Sequence, residues 1–155
     1  MPTQSDPPTL WVAAAPFRYH VHHLIAATGL SWQVIAAVAG VPQAQVRTLL
    51  FGRGGRLRPR LSPYAARRLL ALDADRLRRL QVRDMLLPVA SEMAQALLAD
   101  GMSLGQLADR IGLDIHATAR VVEGGGLCSR AIDISLRLAC VERGLLVERE
   151  ARDAA

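Results

Sequence analysis

A chain of 155 residues has room for one compact unit or two small ones of about 75 residues each, which excludes a large two-domain enzyme. Hydrophobic residues make up 51% and aromatics only 4%, so the core is expected to be Ala, Leu, Val and Ile in an all-α fold rather than a β-sandwich. The net charge of +5 comes from nineteen basic residues, all Arg, and it is uneven: residues 1–83 carry twelve Arg against three acids, residues 84–155 seven against eleven. An Arg-only basic set can follow from genome base composition, but a basic half of net +9 attracts a polyanion, and nucleic acid is the commonest one.

In chain order, residues 1–16 hold Pro2, Pro7, Pro8 and Pro16 and are expected to form a flexible arm, with Leu10, Trp11 and Val12 able to dock on the body. Helices are expected at 17–28, 31–38, 42–51 and 62–72. Ser31 caps the second, Pro42 stands where a first helical turn tolerates it, and Gly52 stops the third. The run GRGGRLRPRL from Gly52 is too rich in Gly and Arg for a helix. Asp73 or Asp75 caps a further Arg-rich segment, and Pro88 marks the expected domain boundary. Helices follow at 89–99, 103–110, 114–122 and 130–143. The expected organisation is a flexible arm over 1–16, a basic helical domain over 17–83, a second over 84–147 and a charged tail over 148–155, with a helical linker joining the domains.

Residues 24–46 lack formal charge and superficially read as a membrane span. Thr28, Gly29, Ser31, Gln33, Gly40, Pro42, Gln43 and Gln45 instead break the stretch into separate helical pieces. The N-terminal residues show no secretory pattern, and Cys128 and Cys140 stand twelve apart without a CxxC partner, so the expected location is a reducing cytoplasm, on the nucleoid.

An internal repeat organises the chain. GLSWQVIAAVAGVPQAQVRTLLFG at 29–52 aligns without gaps with GMSLGQLADRIGLDIHATARVVEG at 101–124, an offset of 72. Gly29, Ser31, Ala36, Gly40 and Gly52 recur as Gly101, Ser103, Ala108, Gly112 and Gly124. Two helices meeting at a steep angle need a small residue at their contact and a Gly in the turn, the places of Ala36 and Gly40. Ile35, Ala39, Val41, Val46 and Leu49 then face inward, while Gln43, Ala44, Arg47 and Thr48 point outward from the second helix.

That is the residue pattern of a helix-turn-helix, whose second helix enters the major groove. Gln43 suits adenine, Arg47 suits guanine, and Ala44 or Thr48 suits a thymine methyl or a phosphate. Gln33 is placed to anchor a phosphate. Arg53, Arg56, Arg58 and Arg60 follow directly, and their Gly neighbours permit close approach, so phosphate contacts or minor-groove insertion are expected. Arg67, Arg68, Arg76, Arg78, Arg79 and Arg83 are read mainly as a solvated face.

The second copy keeps the scaffold through Leu107, Ala108, Ile111, Gly112, Leu113 and Val121. Ile115 replaces Gln43 and Ala119 replaces Arg47, which suits DNA less well. His116, Thr118, Arg120 and Arg130 form a candidate second reading head. The competing role for this half is self-association or a protein partner, with Ile115 as an exposed anchor.

No nucleophile, base or metal set converges, so neither an enzyme nor a metal site is expected, and no cofactor. His20 and His23 share a helical face without further ligands at suitable spacing, and contact of exposed His with phosphate or solvent is expected instead. Cys140 reads as a buried structural thiol, with Cys128 less defined. Gly124–Gly126 lack the Lys and Ser/Thr of a phosphate loop. Trp11 and Trp32 read as core or domain-contact residues.

GLSWQVIAAVAGVPQAQVRTLLFGR, the Arg-containing loop and AARRLLAL together resemble the helix-turn-helix proteins of actinobacteria and their phages, some of which are tandem two-domain immunity repressors. The resemblance covers residues 17–80, and residues 89–143 at the level of the motif. It implies an operator-binding regulator with Gln43, Ala44, Arg47 and Thr48 in base-reading positions. The expected function is sequence-specific binding of double-stranded DNA, repressing by operator occupancy, with no membrane or small-molecule partner. The alternative is a DNA-binding adaptor or excisionase-like architectural protein whose acidic half binds protein.

Overall fold

The computed structural model describes residues 10–145. Nine helices and one two-stranded sheet occupy these residues: β1 (Val12–Ala13), α1 (Ala15–Thr28), α2 (Trp32–Ala39), α3 (Gln43–Phe51), β2 (Arg60–Leu61), α4 (Pro63–Leu70), α5 (Ala74–Leu80), α6 (Pro88–Ala99), α7 (Leu104–Ile111), α8 (Ile115–Val122) and α9 (Arg130–Glu142). The chain is therefore mostly helical, as its composition implies. The sheet is the departure from an all-α fold. Among the described residues no single helix is long and apolar enough to cross a membrane; α1 and α2 reach that apolar length only as a pair bent by 113°.

Two compact units are present, one of residues up to 27 with 31–73, the other of 28–30 with 74 onward. In the first unit β1 runs antiparallel to β2, pairing Val12 with Leu61 and Ala13 with Arg60, and the Ala14 amide donates to the Pro59 carbonyl at 3.0 Å. This corrects the expectation of a flexible arm over the whole of 1–16. The main-chain polar groups of residues 59–61 need partners, which residues 12–14 supply. Residues 1–9 of that arm lie outside the described residues. The core of the unit is Val21 and Leu24 of α1, Ile35 and Ala36 of α2, Val46 and Leu49 of α3, and Leu69 of α4, all buried.

In the second unit α6, α7, α8 and α9 pack mutually around Ala90, Met93, Leu97, Leu107, Val121, Ile132 and Leu136. The Ser91 hydroxyl and the Gln95 amide donate to the Val122 carbonyl at 2.6 and 2.9 Å, closing the end of α8. The expected helical linker is helical only through α5. Beyond it, Met85 and Cys128 exchange backbone hydrogen bonds of 3.1 and 2.7 Å, and Arg83 Nε donates to the Leu127 carbonyl at 3.1 Å. These bonds tie the segment before Pro88 into the second unit, so the units divide at 73/74 and not at 83/84. The charged tail expected over 148–155 lies outside the described residues.

The 72-residue repeat is realised in geometry. Trp32–Ala39 and Leu104–Ile111 are the same eight aligned positions, and α3 and α8 begin at aligned positions. Ser31 and Ser103 both cap, accepting from the Val34 and Gln106 amides, and Gln106 returns the bond to the Ser103 amide at 2.9 Å. Gly40 and Gly112 take φ/ψ of 68/31° and 71/31°, a left-handed geometry that a Cβ strains and glycine adopts freely.

Candidate nucleic-acid interface

In the first unit α2 and α3 have distinct inner and outer faces. Ile35, Ala39, Val41, Val46 and Leu49 are buried, while Ala44 and Arg47 are exposed and Gln43 and Thr48 are half-buried. Thr48 is partly committed, since its hydroxyl donates to the Ala44 carbonyl at 2.8 Å. Its oxygen and methyl remain available for contact. Gln33 is half-buried on the first turn of α2. Trp32 packs edge-on against Phe51 with ring centroids 6.1 Å apart, joining the start of α2 to the end of α3.

Beyond α3 the backbone turns sharply. Gly52 has φ/ψ of 74/−169°, and a Cβ there would lie 2.2 Å from the Arg56 carbonyl oxygen, so glycine is required. Arg53 and Arg56 then bridge in antiparallel register with Gly54 and Gly55, both at positive φ, forming the tip of a two-residue turn. Arg53, Arg56, Arg58 and Arg60 are all exposed. The local sequence dictates the turn: two adjacent glycines allow its primed geometry, and the Arg-Leu-Arg-Pro-Arg-Leu run beyond it forms no helix and enters β2 at Arg60.

One residue organises these parts. Arg18 of α1 donates from Nε to the Leu49 carbonyl at 2.7 Å and from Nη2 to the Arg58 carbonyl at 3.0 Å. It thereby holds the α3 helix and the Arg-rich loop before β2 to α1. Sequence reasoning passed over Arg18, although it is the only residue with formal charge between positions 7 and 46, a signal of a specific task.

His20, read as an exposed contact for phosphate or solvent, is instead committed internally. Its Nε2 lies 3.1 and 2.9 Å from the Leu69 and Leu72 carbonyls at the end of α4, where a protonated ring nitrogen donates to both. His22 and His23 are exposed. Arg68 lies over the Tyr64 ring at 5.2 Å. Among the described residues no group of three or more His, Cys, Asp or Glu is arranged to hold a metal ion.

Charge follows the units. Among the described residues the first holds eight Arg against Asp73, the second nine Arg against nine acids. In the second unit Arg78, Arg110, Arg130, Arg137 and Arg143 are paired with acids at 2.6–3.3 Å. Arg47, Arg53, Arg56, Arg58 and Arg60 make no ion pair among the described residues. The net positive charge of the described residues therefore sits on the first unit, at +7, while the Arg-rich α5 brings the second to 0.

The second copy needs two corrections. Thr118 is 0% exposed, its hydroxyl donating to the Asp114 carbonyl at 2.8 Å, so it reads nothing. The repeat itself contains the reason: Thr118 aligns with Val46, an inner-face position. Arg130 is half-buried and engages Asp133, a buried carboxylate that Arg137 also contacts at 2.9 Å. His116 and Arg120 remain exposed, beside an Ile115 that is 53% exposed. Asp114 caps α8, and the hydrogen bond from the Ala117 amide at 2.8 Å holds its carboxyl below the usual carboxylate range. Cys128 and Cys140 are both buried free thiols, their pKa values raised by burial.

Comparison of the chain with protein-family models, with curated proteins and with solved structures yields no match.

Proposed function

We propose that this chain is a sequence-specific double-stranded DNA-binding regulator whose first unit reads its site through a helix-turn-helix formed by α2 and α3. The observation that carries this is the exposed α3 surface of Ala44 and Arg47, flanked by four exposed arginines that no acid neutralises among the described residues. Gln43, Ala44, Arg47 and Thr48 would face base edges in the major groove, Gln33 a phosphate, and the Arg53–Arg56 turn the adjoining minor groove. Exposed arginines of this kind supply sequence-independent affinity by displacing counterions, while α3 supplies discrimination. Occupancy of an operator is then sufficient for repression.

The second unit favours a different task. Ile115 stands exposed where the first copy has Gln43, Thr118 is buried and Arg130 is occupied by Asp133. These features support a partner-binding unit, with a contribution from His116 and Arg120 to DNA as the competing role. On this second reading the chain is a DNA-binding adaptor.

The test is selection of bound duplexes from a random library by the full chain, followed by footprinting with wild type and Arg47→Ala. A motif that relaxes at one position in the variant supports base readout, and a site of about 4–6 base pairs supports a single reading head. Absence of any motif, with affinity that merely falls steeply with salt, overturns sequence-specific regulation.

A further inference from the structure

Beside α3 lies a cleft lined by Trp11, Gln45, Leu49, Leu61 and Ser62, together with Arg58 and Arg60. Its walls are fixed by backbone. Arg18 links the Leu49 and Arg58 carbonyls, the Ala14 amide holds Pro59, and β1 pairing holds Arg60 and Leu61. Arg58 and Arg60, on either side of the bend at Pro59, are both exposed and both line this cleft. Trp11 is 44% exposed although Leu49 and Leu61 beside it are buried. The lining is thus apolar at Trp11, Leu49 and Leu61 and polar or cationic at Gln45, Ser62, Arg58 and Arg60, and neither guanidinium has an acidic partner among the described residues.

One chemical group matches both halves. A deoxyribose–phosphate link presents an apolar C–H face beside an anion. At about 100° per residue, Gln45 lies at the edge of α3 between the outward Ala44 and Thr48 and the buried Leu49. The cleft therefore adjoins the surface that the proposed function places in a major groove, where a DNA strand must border it. We infer that this cleft seats one sugar–phosphate of the strand flanking the α3-bound groove, with Trp11, Leu49 and Leu61 against the sugar and Arg58, Arg60, Gln45 and Ser62 around the phosphate. This rests on the duplex-binding reading and divides the arginine run in two. Arg58 and Arg60 set register on the backbone, whereas Arg53 and Arg56 at the turn are left to the minor groove.

The experiment uses the full chain and its selected duplex. Arg58→Ala and Arg60→Ala are each expected to lower the slope of log affinity against log salt by about 0.9. Base preference stays as in wild type. In a Trp32→Phe chain, Trp11 is the only indole, and its emission should change on duplex binding. One duplex with a neutral methylphosphonate at a single flanking phosphate should erase the Arg58→Ala and Arg60→Ala penalties together. If wild type binds the duplex but the two variants keep the wild-type salt slope, or change the preferred base at a position, the cleft is not a backbone seat. Unchanged Trp11 emission overturns the sugar contact, and the salt slopes need no tryptophan replacement. If wild type binds no duplex at all, the proposed function itself fails.

Discussion

Arg18 Nε lies 2.7 Å from the Leu49 carbonyl oxygen, joining the first helix of the basic unit to the end of its groove-facing helix. The same guanidinium reaches the Arg58 carbonyl, so one side chain ties the end of α3 to the arginine-bearing loop that precedes β2. Arg18→Met keeps much of the packing volume and removes both donors. It should lower unfolding stability by about 2 kcal/mol, as expected for hydrogen bonds from a charged group. Urea denaturation measures this, and an unchanged midpoint would show that the bonds add nothing net.

Gly52 and its neighbours give a graded series. At Gly52 a Cβ meets the Arg56 carbonyl and the backbone is nearly forbidden to L-residues, so Gly52→Ala should cost about 3 kcal/mol or more. At Gly54 and Gly55 a Cβ meets nothing within 4 Å, and only the left-handed φ opposes it, at about 1–2 kcal/mol. Thermal unfolding of the three alanine variants should rank them accordingly. Equal losses at all three would mean that the close approach at Gly52 is relieved by local shifts.

Thr118 provides a test of the inner face of the second unit. Its buried hydroxyl donates to the Asp114 carbonyl, which also accepts from the Thr118 amide at 2.9 Å, so Thr118→Val leaves that acceptor satisfied. Stability should stay within about 1 kcal/mol of wild type. Thr118→Arg buries an unpaired charge and should unfold the unit, read by circular dichroism.

Asp114 links stability to acid. Its carboxyl is lowered in the folded chain chiefly by the Ala117 amide, so its stabilising effect is complete above the ordinary carboxylate value. It is lost as pH falls through the lowered folded value. Asp114→Asn keeps a capping oxygen without the charge, so wild type should be the more stable above about pH 4 and the two should converge below it. Denaturation midpoints at a series of pH values read this, and a gap that persists at the acid end would place the effect elsewhere.

Much of this architecture was legible in the residues alone. Ser31 and Gly40, repeated 72 positions on as Ser103 and Gly112, located α2 and α7 to within a residue because capping and left-handed turns are local events decided by a few adjacent side chains. The outward position of Ala44 and Arg47 followed from helical periodicity. The same periodicity, applied through the repeat, places Thr118 inward with Val46.

Other features were decided only when the chain folded back on itself. The pairing of Val12 with Leu61, the task of Arg18, the capping of α4 by His20 and the cleft between Trp11 and Gln45 join residues 31 to 52 positions apart. Local propensity does not report such contacts, because each side chain has the same intrinsic preferences wherever its partner lies. Composition, caps and the repeat determined which helices form and which faces are apolar. Tertiary structure decided which cations are spent on carbonyls or carboxylates and which remain for a ligand, because burial makes an unsatisfied polar group costly and so selects its partner from whatever the packing brings near.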